Sequence, residues 1–413
     1  MPRGDCPFPL SVHAFDPFRI YSLQILLELL VTRLTRPRTD QTRARYDPHV
    51  TDRTDVVVIG AGIIGCAIAH RLARRRATVR VFDARAVGQG ATQASAGVLA
   101  PYIESPHEGP LLELAVRSLS EYERFVADVC QDSGMEVEHR LCGTLEVAVD
   151  LNEAGRLRSS AHEVGEWLDI AATLRMEPSL AGSIHGAVLI REHGYVAAPA
   201  LLEALTWAAL RHGAEVETGR RIAGIEQRDG HLDVRAQDGA SWSARSVVLA
   251  AGSWTPQVGL SEPAAHVVRP IRGQLLRLDW PAAAPLRHVI WGPDCYVVPW
   301  RDGTALVGAT VEDVGFDERT TAAGVRDLLD AVCDLLPAAW GATFREARVG
   351  LRPATTDGLP IIGPSVAVPG LTYATGHYRN GILLAPITAA LVADWILDGR
   401  LDPALQAFQP ARF

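Results

Sequence analysis

The chain has 413 residues, 48% of them hydrophobic and 21% charged, a composition typical of a soluble globular protein long enough for two domains. Its formal net charge of −8 at pH 7 gives no electrostatic reason to expect a nucleic acid partner. All 40 basic residues are arginine, and the lack of lysine excludes a Schiff base to pyridoxal phosphate and a phosphate-binding loop ending in Gly-Lys-Ser/Thr.

The cysteines and histidines show no spacing typical of a metal site or a redox pair. Neither C-x-x-C nor H-E-x-x-H occurs in the sequence. We therefore expect no metal, and reduced thiols in a cytoplasmic protein, because a disulfide framework needs paired cysteines in an oxidising compartment. The six cysteines are Cys6, Cys66, Cys130, Cys142, Cys295 and Cys333.

Residues 1–50 differ in character from the rest of the chain. The apolar stretch Ile20–Val31 is too short to span a bilayer, and the arginine-rich run Arg33–Arg45 stands on the wrong side of it for a secretory signal. Three interpretations are open: an amphipathic helix at a membrane surface, a disordered extension, or a start codon upstream of a true initiator at Val50. We expect a disordered extension or a start-site artefact, and no membrane partner.

A βαβ unit follows from residue 54. The run DVVVIG (55–60) predicts a buried parallel strand, Ile64–Arg75 a helix, and Thr78–Phe82 a second strand. Further helices are expected at Leu111–Asp132, Ala200–Gly213, Ala322–Leu336 and Ile387–Leu397.

Apolar runs separated by turn signals predict a second, antiparallel sheet from TLEVAV, GAVLIREHGYV, GQLLRLDW, HVIWG, CYVVPW and ALVGATV. Between them the strand Glu215–Thr218, the hairpin-like segment 222–240 and the buried strand SVVLAAG return to the first pattern. The predicted fold class is α/β (α+β overall), in which a Rossmann-like nucleotide-binding domain is interleaved with an antiparallel-sheet substrate domain. The predicted bounds are 51–133 with 195–266 and 349–413 for the first domain, and 134–194 with 267–348 for the second.

The motif Gly60-x-Gly62-x-x-Gly65 stands between the first strand and its helix. Gly60 permits the tight turn, Gly62 lets the backbone approach a pyrophosphate, and Gly65 lets helix and strand pack closely. The helix N-terminus then offers N–H groups and partial positive charge to the phosphates. Asp83, at the end of the second strand, is placed to accept hydrogen bonds from ribose hydroxyls, which argues against NADP. The motif predicts a dinucleotide without separating NAD from FAD.

Two later segments favour a flavin. The loop GQGATQASAGVLAP (88–101) has only small residues from Ala91 to Gly97, which suits a backbone lying against a flat or phosphorylated cofactor. A flexible alanine-rich loop explains that composition equally well. The buried strand SVVLAAG ends at Gly252, where a flavoprotein closes on its cofactor.

Three segments resemble the D-amino-acid oxidase superfamily and, within it, the glycine oxidase family of thiamine-pathway flavoenzymes. They are ATQASAGVLAP, VGLRPATTDGLPIIGP (349–364) and TGHYRNGILLAP (375–386), and the resemblance runs from about Thr54 to the C-terminus. It implies that the first domain binds FAD and that the protein is a homotetramer. Because no cysteine follows Cys333, where related enzymes attach their flavin, we expect non-covalent FAD.

The resemblance also implies the residues of the site. Arg352 would bind the substrate carboxylate with help from Tyr296, and Arg379 would line the same cavity. Cofactor contacts are expected at Gly60, Gly62, Ile63, Ile64, Gly65, Asp83, Ala84, Ala91, Thr92, Ala96, Gly97, Val98, Ile222, Gly252, His377, Tyr378, Arg379, Asn380, Gly381, Ile382 and Leu383.

These residue types suit the oxidation of an amino acid. A carboxylate near a flavin must be paired, and arginine does this with two parallel N–H···O bonds. The alternative for Arg352 is a structural ion pair with Asp357 or another acid, and a lone strand tyrosine such as Tyr296 is more often a core residue. His377 is expected to be a structural residue beside the flavin and not a general base, because solvent can take the amine proton.

The expected reaction is hydride transfer from the substrate Cα to the flavin, reoxidation by oxygen to give hydrogen peroxide, and hydrolysis of the imine to an α-keto acid and ammonia. The substrate is expected to be glycine, sarcosine or a small D-amino acid, which differ by single methyl groups. Three alternatives are kept: a dehydrogenase of the same fold that passes electrons to a quinone, a non-catalytic flavin-binding subunit, and an NAD-dependent dehydrogenase.

Overall fold

The computed structural model describes residues 53–105 and 108–413, so the predictions for residues 1–50 lie outside the described residues. The α-helices of the described part are α1 Ile63–Arg74, α2 Pro101–Glu104, α3 Pro110–Ser133, α4 Leu151–Val164, α5 Ile170–Met176, α6 Ala198–Arg211, α7 Ala322–Leu335 and α8 Gly381–Asp398. The strands are β1 Arg53–Ile59, β2 Val79–Asp83, β3 Val98–Leu99, β4 His139–Arg140, β5 Thr144–Ala148, β6 Glu166–Leu168, β7 Gly186–Ile190, β8 Gly194–Val196, β9 Glu215–Thr218, β10 Ile222–Arg228, β11 His231–Ala236, β12 Ser241–Leu249, β13 Arg269–Asp279, β14 Val289–Trp291, β15 Tyr296–Pro299, β16 Thr304–Gly308, β17 Thr343–Ala354, β18 Ile361–Pro364 and β19 Leu371–Thr375.

The first sheet has a parallel core in the spatial order β9-β2-β1-β12-β19. Its central strand β1 is apolar at every position from Val56 to Ile59 because both of its faces are covered. Val56 and Val58 belong to the hydrophobic cluster that includes residues of α1, α3, α6 and α8, whereas Val57 and Ile59 belong to the cluster that includes the β10–β11 hairpin. The βαβ unit and the hairpin predicted from the sequence are both confirmed.

The second sheet has eight strands in the order β17-β13-β16-β15-β14-β5-β7-β6. All neighbours in it are antiparallel except β14 and β5, which run parallel. The prediction of an antiparallel sheet is therefore wrong at one pairing. Hairpin spacing indicates only strands joined by short turns, whereas β14 pairs with β5 from a segment about 140 residues later in the chain.

The long strand β17 serves both halves of the molecule. It pairs with β13 along its whole length, and its last residues, from Gly350 to Pro353, face the cavities described below. The boundary predicted between residues 348 and 349 falls inside this strand. A third, small antiparallel sheet has the order β3-β8-β4. The mixed α/β architecture agrees with the predicted fold class, while the residue bounds of the two domains stay a prediction.

Helix α8 begins six residues before the predicted start at Ile387, and this prediction is corrected. Pro386 lies inside the helix and leaves the carbonyl oxygen of Ile382, four residues earlier, without its usual N–H partner. The buried Tyr122 of α3 supplies the missing donor, since its hydroxyl donates to the Ile382 oxygen at 3.1 Å. The helix therefore continues through the proline.

Helix α8 is also the one helix among the described residues that is long and apolar enough to cross a membrane. Its most apolar window is 61% buried inside the protein, where it packs against α1 and α3. A helix that is hydrophobic all round and buried in this way is typical of a protein core.

Candidate active site

Two adjoining cavities lie where the carboxyl ends of β1, β2 and β12 meet β17 and the start of α8. The larger cavity, of about 160 Å³, runs along the glycine motif and β2. The smaller cavity, of about 80 Å³, lies on the side of β13, β15 and β17. The two cavities share five lining residues: Ile63, Ala91, Thr92, Tyr378 and Gly381.

The glycine motif is required by backbone packing. Gly60 has a φ of +111°, and a Cβ at this position would overlap the carbonyl oxygen of Ala250, the residue directly after β12. A Cβ on Gly65 would overlap the carbonyl oxygen of Gly60. Gly62 has only the Thr92 hydroxyl near its Cβ position, at 3.5 Å, so the backbone there stays open to the cavity. These are the three roles predicted from the spacing.

The N-terminus of α1 is free to bind an anion. Its N-cap residue Gly62 has no side chain to cap it, and its first turn contains no acidic residue. The Thr92 hydroxyl accepts from the Ile63 amide at 3.1 Å and joins the small-residue loop to this turn. A helix N-terminus with available N–H groups beside an open glycine backbone fits a pyrophosphate.

Asp83 lies at the end of β2 and faces the same cavity. One carboxylate oxygen accepts from the Ala61 amide at 2.7 Å and the other from the Arg85 amide at 2.8 Å. Burial raises the pKa of Asp83, and the two backbone N–H groups oppose that rise. This arrangement fixes the carboxylate at the position where a ribose is expected.

Most of the predicted cofactor residues line one cavity or both. The larger cavity takes Gly60, Gly62, Ile63, Ile64, Asp83, Ala84, Ala91, Thr92, Ile222, Gly252, His377, Tyr378 and Gly381. The smaller cavity takes Ala96, Gly97, Val98, Tyr296, Arg352, Arg379 and Ile382 together with the shared residues.

Three predicted cofactor residues line neither cavity. Gly65 acts through packing, as described above. The Asn380 side chain is buried and donates to the carbonyl oxygen of Glu104 at 3.5 Å. Leu383 is buried in the core, and its carbonyl oxygen accepts from Ser118 at 2.6 Å. Only part of the segment 377–383 lines the cavities, because a helix start turns successive residues to different sides, and the cofactor contacts expected along this segment stay a prediction.

Several lining residues of the larger cavity were not predicted. Arg85 stands with its guanidinium 5.0 Å from the ring centre of Trp254, and both line the cavity beyond Asp83. Arg221 and Gln257 also line it and are hydrogen-bonded to each other at 3.0 Å. No local motif marks these positions, although Arg85 directly follows the predicted Ala84.

His377 is buried and uncharged. Burial lowers the pKa of its imidazole to about 3, and Nε2 is 3.2 Å from the Thr388 hydroxyl. The next residue, Tyr378, has a φ of +47° and donates its amide to the Pro353 carbonyl oxygen at 2.9 Å. These contacts agree with the expectation that His377 is a structural residue beside the cofactor site.

Arg352 lies near the end of β17 and projects into the smaller cavity. Its Nη1 donates to the carbonyl oxygen of Thr310 at 2.9 Å. The guanidinium lies over Gly273 of β13, where a Cβ would overlap it. Asp357 is paired instead with Arg412, at 2.7 Å, and Arg352 takes part in none of the ion pairs found across residues 53–105 and 108–413. The alternative of a structural pair with Asp357 is therefore wrong.

Tyr296 and Arg379 line the same cavity. The Tyr296 ring stacks on Trp291 with 5.0 Å between centroids, and burial raises the pKa of its phenol, which stays a hydrogen-bond donor. Arg379 is held by Glu104, whose carboxylate contacts Nε at 2.5 Å and Nη2 at 3.0 Å. Glu104 was not predicted; no spacing rule joins residues so far apart in the chain.

The cysteines and the one His/Asp cluster of the described part lie outside both cavities. The free thiols of Cys66, Cys130, Cys142, Cys295 and Cys333 line neither cavity, which fits a flavin held without a covalent bond. In the cluster, Asp132 contacts His70 at 2.8 Å, His212 at 3.2 Å and Arg74 at 3.2 Å through one carboxylate oxygen. Three donors already share that oxygen, and the absence of a metal stays a prediction.

Comparisons with known proteins agree with this geometry. The family model for FAD-dependent oxidoreductases matches residues 55–395. The bifunctional protein ThiO/ThiG of Synechocystis is 38% identical over 366 residues, which are 87% of this chain and 54% of that protein. The chain thus spans about half the length of this relative.

Two glycine oxidase comparisons cover nearly the whole relative. The glycine oxidase of Geobacillus kaustophilus is 34% identical over 354 residues, 84% of this chain and 94% of the relative. A crystal structure of glycine oxidase from the same species superposes with a TM-score of 0.82 at 33% identity, covering 87% of this chain and 99% of that one. The chain therefore belongs to the FAD-dependent oxidoreductase family.

Proposed function

We propose that the protein oxidises the amine of a small amino acid, with glycine as the first candidate, and uses oxygen as electron acceptor. The products are an imine, which hydrolyses to the α-keto acid and ammonia, and hydrogen peroxide. The observation that carries the proposal is Arg352, a cation without a carboxylate partner in the described part of the chain, in a cavity continuous with the cofactor cavity. Arg352 is half-buried, and an arginine without a carboxylate partner in such a cavity can bind a ligand carboxylate through two parallel N–H···O bonds.

The residues of the chain divide the work between two cavities. Gly60, Gly62 and the N-terminus of α1 would hold the pyrophosphate of FAD, and Asp83 its adenosine ribose. Bound FAD supplies the electron-accepting ring that takes a hydride from the substrate. The match of the cavity with the glycine motif and with the family supports non-covalent FAD at this position.

In the smaller cavity the side chains orient the substrate. Arg352 binds the substrate carboxylate through a guanidinium that β17, Thr310 and Gly273 hold in place. The phenol of Tyr296 is available to donate a second hydrogen bond. His377 is uncharged and bonded to Thr388, so the amine proton goes to solvent before the hydride leaves.

The relatives support glycine and the thiamine pathway. The Geobacillus kaustophilus relative and the superposed structure are both named glycine oxidase, and the Synechocystis relative carries the thiamine-pathway name ThiO/ThiG. We therefore assign the imine of glycine as a product used in thiamine biosynthesis. We further propose that the protein is a cytoplasmic homotetramer, which the resemblance to the family supports. Light scattering after size-exclusion chromatography would test the tetramer.

The test is a substrate panel assayed for hydrogen peroxide. Purified holoprotein is mixed in air with glycine, sarcosine and D-alanine, and peroxide is followed with a coupled peroxidase while the flavin absorbance is recorded. Peroxide formation with glycine is expected. Bleaching of the flavin without peroxide would instead support a dehydrogenase that uses a quinone, and a yellow protein inert to all three amines would support a non-catalytic subunit.

A further inference from the structure

The two arginines of the smaller cavity have different partners. Arg379 is engaged on two nitrogens by Glu104, and 11% of the Glu104 side chain and 29% of the Arg379 side chain are exposed. Arg352 donates to a backbone oxygen of Thr310 and lies beside the Tyr296 phenol, and no carboxylate of the described residues pairs with it. Arg379 is therefore already paired with a carboxylate, whereas Arg352 is available to bind the carboxylate of a ligand.

The charges that line this cavity fit one carboxylate. Apart from two tyrosines, the ionisable residues that line the cavity within the described part of the chain are Glu104, Arg352 and Arg379, whose charges sum to +1. A ligand with one carboxylate brings the cavity to neutrality through Arg352. A second carboxylate would meet an arginine already paired and would lie beside Glu104, and like charges in a poorly solvated site repel strongly.

We propose that Glu104 determines the charge selectivity of the smaller cavity: by occupying Arg379 it restricts the substrates to amines with a single carboxylate. Without this carboxylate, Arg379 becomes a second anion-binding group, and the cavity accepts amino dicarboxylates such as iminodiacetate. The inference rests on the proposed function, because it names the substrate class of the same site.

Arg379 keeps its position when Glu104 loses its charge. The guanidinium also lies 5.9 Å from the centre of the Trp291 ring, a cation–π contact that does not involve Glu104. Trp291 is itself stacked on Tyr296. In addition, Glu104 is tied to the neighbouring Asn380 through its backbone oxygen, which a side-chain substitution leaves intact. Glu104→Gln therefore changes charge with little change of shape.

The experiment compares one-carboxylate and two-carboxylate ligands that cannot be oxidised. The affinities of acetate and malonate for the holoprotein are measured by isothermal titration calorimetry in the wild type, Glu104→Gln and the double variant Glu104→Gln/Arg379→Gln. The matched control is Glu166→Gln, which removes the charge from another Glu–Arg pair, with Arg191 at 2.7 Å, on the protein surface. Turnover of glycine and iminodiacetate is measured in parallel by peroxide formation.

Glu104→Gln is expected to strengthen malonate binding by about tenfold or more, the effect of one added hydrogen-bonded charge pair, while acetate affinity changes by less than about threefold. The kcat/KM for iminodiacetate should rise because KM falls, while kcat stays unchanged. The double variant should lose the gain, and Glu166→Gln should match the wild type.

Unchanged malonate affinity in Glu104→Gln, or a gain that persists in the double variant, would overturn the inference. If Glu104→Gln fails to fold, Arg379→Gln tests the same pair, since it leaves Glu104 facing the cavity and should weaken acetate binding by about tenfold; unchanged acetate affinity overturns the inference as well. If the wild type binds acetate but forms no peroxide from any amine, only the proposed function is wrong. The ratio of malonate affinity to acetate affinity is measured without turnover and still tests the inference.

Discussion

The larger and the smaller cavity are built in different ways. The larger one is formed by backbone: glycines that allow strand and helix to touch, a helix N-terminus without a side-chain cap, and a carboxylate held by two amide groups. The smaller one is formed by side chains, with Arg352 on β17, Tyr296 on β15, Glu104 on α2 and Arg379 in the turn before α8. Binding of a large cofactor thus depends on chain geometry, whereas the choice of substrate depends on a few charges.

If the larger cavity is formed by backbone, adding a methyl group to the glycine motif should have the largest effect on cofactor binding and stability. In Gly65→Ala the new Cβ overlaps the carbonyl oxygen of Gly60, and neither backbone segment can move without separating α1 from β1. We expect loss of bound flavin and a decrease of about 3 kcal/mol or more in the free energy of unfolding. The flavin-to-protein absorbance ratio and urea unfolding measure both effects.

The control is Gly155→Ala in α4, where nothing lies within 4 Å of the added Cβ. There alanine should retain the flavin and raise the free energy of unfolding by up to about 1 kcal/mol, since it has the higher helix propensity. A Gly65→Ala protein that keeps its flavin would show that the cofactor cavity tolerates changes in its backbone.

The second effect concerns the substrate alone. Arg352→Ala should lower kcat/KM for glycine by about 10²- to 10³-fold, because a hydrogen-bonded charge pair to the carboxylate is lost, while the flavin content stays at the wild-type level. Arg352→Lys should recover only a part, since an ammonium lacks the planar fork. Steady-state peroxide assays give the rates. Flavin loss in Arg352→Ala would contradict the separation of the two cavities.

A smaller effect is expected when Arg352 is displaced without losing its charge. In Gly273→Ala the new Cβ overlaps the guanidinium, which is the flexible end of its side chain and moves aside. We expect KM for glycine to rise by about tenfold, since a displaced clamp loses one of its two hydrogen bonds, with kcat and thermal stability nearly unchanged. Unaltered KM would mean that the position of the guanidinium over Gly273 is not needed for binding.

The smallest effect is a pH dependence of stability at His377. Its pKa is lowered from 6.5 to about 3 by burial, so the unfolded chain takes up a proton that the folded protein does not. The stability from this residue is complete above pH 6.5 and is lost as the pH falls toward 3. His377→Gln should reduce the loss of unfolding free energy between pH 7.5 and 5.5 by about 1 kcal/mol.

Urea unfolding at the two pH values measures this difference, with His162→Gln as the control, since 75% of that side chain is exposed. The pH profile of kcat/KM should keep its shape in His377→Gln. If the decline of kcat/KM on one side of the pH profile near neutral pH disappeared in His377→Gln, the structural role would be contradicted and His377 would be a general base.

More of the larger cavity than of the smaller cavity could be predicted from the sequence, because the two cavities are built in different ways. The glycine motif and Asp83 act through residues close together in the chain, so their spacing reveals their role. Glu104 meets Arg379 across 275 positions, and the pairing of β5 with β14 also joins distant segments. The early start of α8 depends on the Tyr122 hydroxyl, which no pattern around Pro386 contains. Features that depend on contact between segments far apart in the chain could not be predicted from the sequence and were found only in the structure.

The hydroxyl of Tyr122 that completes α8 has an evolutionary consequence. Tyr122→Phe alone would leave the Ile382 oxygen buried without a donor, next to residues that line the smaller cavity. Pro386→Ala restores an N–H at the position that serves this oxygen, so it should act as a suppressor of Tyr122→Phe. A lineage can therefore exchange the two residues only in one order, proline first, and the pair should show sign epistasis.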